Sequence, residues 1–232
     1  MTAKSTAKRK SGKTKSGKTK SGETRSEKPK TGKVAKAAPD DASPIEQVDV
    51  AVADAVDVDP DSKTAAALHV VGEAGDQPPL LVLNLLVAGA GIVTGDRAMT
   101  RTGVRMLAAH RLATLIKTVI KNRVDRTRPH RAAEDGEYEL KRGKSRKSQL
   151  RSMPSGHTAG VVAVARAASR DNPELALPAT LGAMAVTGAQ LPTRAHYLSD
   201  VAVGIVIGLA AEAATTALLD IAERTARDRS AA

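Results

Sequence analysis

The sequence predicts an all-α fold: a bundle of about five apolar helices, transmembrane, behind a disordered basic N-terminal tail. Three observations carry this reading. Two stretches, 77–95 and 175–193, each run 19 residues without a charge, close to the roughly 20 apolar residues that cross ~30 Å of hydrocarbon. Elsewhere in the body apolar residues recur at spacings of three and four, and nothing alternates cleanly with period two. Gly, Ala, Ser and Thr are abundant, Phe and Trp are absent, and Tyr138 and Tyr197 are the only aromatics. Such small side chains suit helices that approach closely inside a membrane.

Composition also excludes several functions. The 232 residues contain no cysteine, so there is no disulfide scaffold, no Cys-ligated zinc and no thiol nucleophile. Two tyrosines cannot build a base-stacking platform for single-stranded nucleic acid. The net charge of +11 is unevenly placed. Residues 1–36 carry 13 Lys and Arg against two acids, 37–62 carry eight acids and no base, and the remainder is again basic.

Residues 1–45 contain the repeat KSGKT-KSGKT-KSGET-RSEKP-KTGKV. With so little apolar surface to bury, the segment is expected to be disordered. Its charge suits weak contact with nucleic acid or anionic lipid through residues 1–36. No apolar run follows the basic start, so it does not read as a signal peptide. Residues 46–75 follow as an acidic linker; the Val/Asp alternation in 46–61 is too acidic to favour a strand.

The helical domain is expected over 76–224, with a short C-terminal tail at 225–232. Pro78 and Pro79 suit the start of the first helix, 77–95. The second covers 101–121, where Val104, Leu107, Ala108, Leu112, Leu115, Ile116 and Val119 form an apolar stripe. The third runs over 158–170, the fourth over 174–190, and the fifth over 196–219 and on towards Arg227.

Three polar clusters fall near helix ends: Lys121 with Arg128-Pro129, then Pro154-Ser155-Gly156-His157, then His196 with Asp200. Singly, each has an ordinary structural explanation as a dipole partner, a cap or an i,i+4 pair. Together, in this order, they resemble the type 2 phosphatidic acid phosphatase superfamily, which includes bacterial acid phosphatases and vanadium haloperoxidases. Its first motif, Lys-x6-Arg-Pro, is matched in full by Lys121, Arg128 and Pro129. Its second, Pro-Ser-Gly-His, is matched in full by residues 154–157. Of its third, Ser-Arg-x5-His-x3-Asp, His196 and Asp200 match, while Ala189 and Gln190 stand at the Ser-Arg positions. The resemblance spans about 76–220.

The resemblance implies a phosphatase that hydrolyses a phosphomonoester or diphosphate, lipid-linked, through a phosphohistidine. His196 would be the nucleophile. Asp200 would orient it, and His157 would act as general acid and then base. Lys121, Arg128 and the backbone at Ser155 and Gly156 would hold the phosphoryl oxygens. Gln190 stands in place of an expected arginine, and Arg194, four residues on, is expected to reach the same phosphate. If it does not, a weak or inactive protein of the same fold is the alternative; a further alternative is a binder of nucleic acid or anionic surfaces acting through the tail. No cofactor is implied, and the sequence holds no metal-binding cluster or nucleotide loop.

The expected location is a membrane, as a multi-pass protein of the bacterial inner membrane. Loop 121–157 holds 11 Lys and Arg against five acids, which by the positive-inside rule favours the cytoplasmic side. The resemblance implies an extracytoplasmic site, so the two expectations conflict.

Overall fold

The computed structural model describes residues 32–231. The repeat tail through residue 31 lies outside the described residues. Eight α-helices and one two-stranded sheet make up the described chain.

The stretch expected as an acidic linker is instead mostly helical. Helix α1 (Pro44–Ala55) starts at a capping box between Ser43 and Glu46, with Pro44 in its first turn. Helix α2 (Lys63–Glu73) is capped by Ser62, whose side chain accepts from the Ala65 N–H. The period-two pattern of Val and Asp hid α1, because its acids are not all solvated. Asp49 is buried on an arginine, and Asp54 accepts from the backbone of Val34 and Ala35.

The five expected helices are present. They are α3 (Gln77–Thr94), α4 (Arg97–Lys121), α6 (Gly156–Arg170), α7 (Ala176–Ala189) and α8 (Leu198–Ala231). The last continues through the stretch expected as a C-terminal tail. Asp96 caps α4 by accepting from the N–H groups of Ala98 and Met99 at 2.9 and 3.0 Å. Between α4 and α6 lie the short helix α5 (Pro129–Asp135) and an unexpected hairpin. Its strands β1 (Val124–Arg126) and β2 (Leu140–Arg142) pair antiparallel, with Asp125 opposite Lys141. Three-residue strands are too short to show a period.

Short turns join α3 to α4 and α6 to α7, so the five helices run up and down. Helix α4 packs on α3, α6 and α8, and α6 packs on α7 and α8. Small residues set these distances: a Cβ on Gly204 would lie 2.8 Å from the Ser155 carbonyl oxygen, and one on Gly103 would strike the Ala88 backbone. The core between them is aliphatic, with Leu80, Met106, Ala109, Ala159, Val164 and Ile207 buried.

The outer face is apolar too. Leu86, Ile92 and Val93 on α3, Leu177 and Met184 on α7, and Val206 and Leu218 on α8 all point outwards. Polar groups are paired inside: Asn84 meets His110 at 3.2 Å, and Thr216 donates to Glu212 at 2.8 Å. Apolar-out, polar-in is the arrangement a lipid solvent rewards. Among the described residues two helices, α3 and α8, are long and apolar enough to cross a membrane. Helices α6 and α7 are shorter, and α4 carries charges along its length.

A second, smaller cluster of Val34, Val50, Ala53, Ala132, Ala133 and Tyr197 caps one end of the bundle. It fastens the 32–55 segment to α5 and to the start of α8. The three motifs converge at this same end.

Candidate active site

The up-and-down order of the helices brings the motifs together. Lys121 is the last residue of α4, Arg128 caps α5, Ser155 caps α6, and His196 precedes α8.

His196 and Asp200 are 2% and 0% exposed. The Nδ1 of His196 lies 3.7 Å from Asp200 Oδ2, longer than a hydrogen bond, and has no other partner among the described residues. With Nδ1 turned to the carboxylate, Nε2 is the nitrogen left for chemistry. Burial pushes the His196 pKa down to about 4, and the neighbouring Asp200 only partly opposes it. The imidazole is therefore neutral near pH 7, the state a nucleophile needs.

Asp200 is held from several sides. Its Oδ2 accepts from the Tyr197 N–H at 2.9 Å and the Ser152 hydroxyl at 2.6 Å, and its Oδ1 accepts from Arg126 at 2.7 Å. Arg126 is itself buried. It donates to Ser199 at 2.7 Å, to Asp49 at 2.6 Å and to Tyr138 at 3.1 Å, and its guanidinium lies 4.2 Å from the Tyr197 ring centroid. Asp49 also accepts from the Ser199 N–H at 2.8 Å. A helix of the N-terminal segment thus braces the carboxylate behind His196.

His157, in the first turn of α6, faces His196 with ring centroids 6.3 Å apart. Its Nε2 lies 3.6 Å from Asp76 Oδ1 at the start of α3, and its Nδ1 is buried without a hydrogen-bond partner among the described residues. The charges of Lys121 and Arg128 act on both histidines. Lys121 Nζ donates to the Arg151 carbonyl at 2.6 Å, and Arg128 Nε donates to the Ser148 carbonyl at 3.2 Å. Burial lowers the Arg128 pKa against the pull of Asp200, yet a guanidinium stays charged at neutral pH.

Ser155 is committed to structure. Its N–H donates to the Asp200 carbonyl at 3.0 Å, and its hydroxyl accepts from Thr158. The first free N–H groups of α6 are therefore those of Gly156 and His157.

Arg194 corrects an expectation, because the structure does not bring it to this group. Its guanidinium donates to the Gly32 carbonyl at 3.1 Å and pairs with Asp54 at 3.4 Å and Asp57 at 2.9 Å. Its backbone is left-handed, with φ 51°. Gln190 is buried and donates to the Val186 carbonyl at 3.2 Å. No group of three or more metal-ligating side chains occurs among the described residues.

Sequence reasoning missed Arg126, Ser152, Asp49 and Asp76. Arg126 lies inside the gap of the first motif, where a buried arginine has no local mark. Asp49 looked like one acid among eight.

The sequence profile of the PAP2 superfamily matches residues 102–223. No curated protein sequence matches the chain. The fold is similar to that of Aquifex aeolicus LpxE, with TM-score 0.55 and 19% identity over 76% of this chain and 96% of that one. It is also similar to a transmembrane PAP2-type phosphatidylglycerolphosphate phosphatase from Bacillus subtilis, with TM-score 0.57 and 17% identity over 78% of this chain and 88% of that one. With its profile match covering more than half the sequence and its three motifs meeting at one end of the bundle, the chain belongs to the PAP2 superfamily.

Proposed function

We propose that this chain is a multi-pass membrane phosphatase that hydrolyses a lipid-linked phosphomonoester or diphosphate through a phosphohistidine on His196. The observation that carries the reading is the facing pair of His157 and His196, 6.3 Å between centroids, with Asp200 behind the second. The outward apolar face and the lipid phosphatase named among its structural relatives favour a lipid-linked substrate.

In the first step Nε2 of His196 attacks phosphorus, and the bond from phosphorus to the leaving oxygen breaks. His157 gives that oxygen a proton. In the second step His157 takes a proton from water, the water oxygen attacks phosphorus, and the P–N bond breaks to release phosphate. Asp200 keeps the proton on Nδ1 and stabilises the imidazolium. Lys121 and Arg128 neutralise the phosphoryl oxygens, where fixed positive charge is worth most in a dry site.

The test is phosphate release in detergent from phosphatidic acid, phosphatidylglycerol phosphate and an isoprenoid diphosphate. His196→Ala is expected to abolish it, by roughly 10³-fold or more. Gln190 favours a second reading, an inactive protein of the same fold. Absence of any His196-dependent release from all three substrates decides for that reading.

A further inference from the structure

Lys117 lies one helical turn before Lys121 on α4, on the same face. It is half-buried. A Cβ added to Gly156 would sit 2.7 Å from Lys117 Nζ and 3.1 Å from its Cδ. The ammonium therefore rests directly on the first residue of α6, and a glycine there leaves it room. Among the described residues it makes no hydrogen bond and no ion pair. The carboxylate it senses is Asp76, which is 56% exposed and faces His157.

This is an unfavourable place for an unpaired cation. The N-terminus of a helix carries partial positive charge, and Lys at that end is repelled. Lys121 and Arg128 are the neighbouring basic groups of the same cluster, while the Asp200 charge is already matched by Arg126 at 2.7 Å. An anion bound among these crowded basic groups would hold both lysines in the charged form. The turn before α8 adds no cation here, since Gln190 is neutral and Arg194 is held by Asp54 and Asp57.

We infer that Lys117 is a third phosphate-binding cation, donating an ammonium hydrogen to a non-bridging oxygen of the phosphoryl group held at Gly156. The inference rests on reading His196 as the nucleophile of the same site. It also explains how the site carries a full set of cations with a glutamine at position 190.

The chain has no native cysteine, so Lys117→Cys can be alkylated cleanly with 2-bromoethylamine. The thiolate displaces bromide and leaves an S-aminoethyl side chain close in length to lysine. Orthovanadate binding is read by vanadium NMR, which needs no turnover, alongside kcat/KM for phosphate release. Lys117→Cys is expected to weaken vanadate binding and lower kcat/KM by about 10–100-fold, the worth of one charge-assisted contact. Aminoethylation should restore both to within about threefold, and Lys117→Arg should retain vanadate binding. Vanadate affinity of Lys117→Cys within about threefold of the parent overturns the inference, as does a loss that aminoethylation leaves in place. A parent that binds vanadate through Lys117 but releases no phosphate defeats the catalytic reading alone. A parent that binds no vanadate defeats both.

Discussion

Arg126 Nη1 and Asp200 Oδ1 meet at 2.7 Å in the interior, with side chains 1% and 0% exposed. The pair lies directly behind His196 and joins the first motif's connector to the third motif's helix. A buried ion pair costs heavily when one partner is removed, because the other charge is left stranded.

Arg126→Lys should therefore be severe despite keeping the charge. An ammonium cannot reach Asp200, Ser199, Asp49 and Tyr138 at once from a planar fork. We expect about 3–5 kcal/mol of lost stability and a roughly 100-fold lower kcat as Asp200 and His196 lose their alignment. Thermal unfolding in detergent and initial rates test this. A variant with parental melting temperature and kcat would contradict the role of Arg126.

Asp49→Asn tests whether the N-terminal helix takes part in the site. It accepts from Arg126 and Ser199, both next to Asp200. The expected result is a lower kcat with KM changed little, since Asp49 braces Arg126 and Ser199 beside Asp200 and makes no contact with Lys121, Arg128 or Gly156. A change confined to KM would place Asp49 on a substrate path instead.

Burial lowers the His196 pKa to about 4 from the ordinary value near ~6.5. The sign follows from proton uptake. As pH falls from about 6.5 towards 4, the unfolded chain protonates this histidine and the native state does not, so native stability drops. Above about 6.5 the effect vanishes. The melting temperature of the parent should fall across that window more steeply than that of His196→Asn; parallel curves would show that His196 is not buried neutral.

Arg194 and its carboxylate partners should couple in stability. Arg194→Ala and the double variant Asp54→Ala/Asp57→Ala each break the ion pairs around the buried Arg194 guanidinium. Combined, they should cost clearly less than the two losses added, since the interaction is removed only once. Simple additivity in the melting data would mean the ion pairs do not form.

The fold also sets a topological relation. Residues 32–55 cap the same bundle end that carries the site, and the far end of α8 lies opposite. In sealed vesicles, cysteines at Lys36 and Ser148 should react with an impermeant maleimide from one side, and a cysteine at Arg227 from the other. Labelling of Lys36→Cys and Ser148→Cys from opposite sides would refute this arrangement. The side on which they label also decides between the basic loop's expectation and that of the resemblance.

Five helices and the sequence motifs were legible in the chain because both are local patterns. A 19-residue uncharged run marks a helix wherever it lies, and the spacing within each motif is kept by a helix end or a tight loop. The identities of Lys121, Arg128, His157, His196 and Asp200 needed no tertiary structure to be singled out. Contacts over long sequence separations decided the rest. Asp49 and Arg126 lie 77 residues apart, and Lys117 touches Gly156 across two helices. Arg194 was misread for the same reason: its proximity in sequence to His196 suggested the phosphate, while the carboxylates that hold it come from the segment taken as linker. Charge and periodicity tell which residues can act. Packing decides which neighbour satisfies each charge, and only a folded chain sets that.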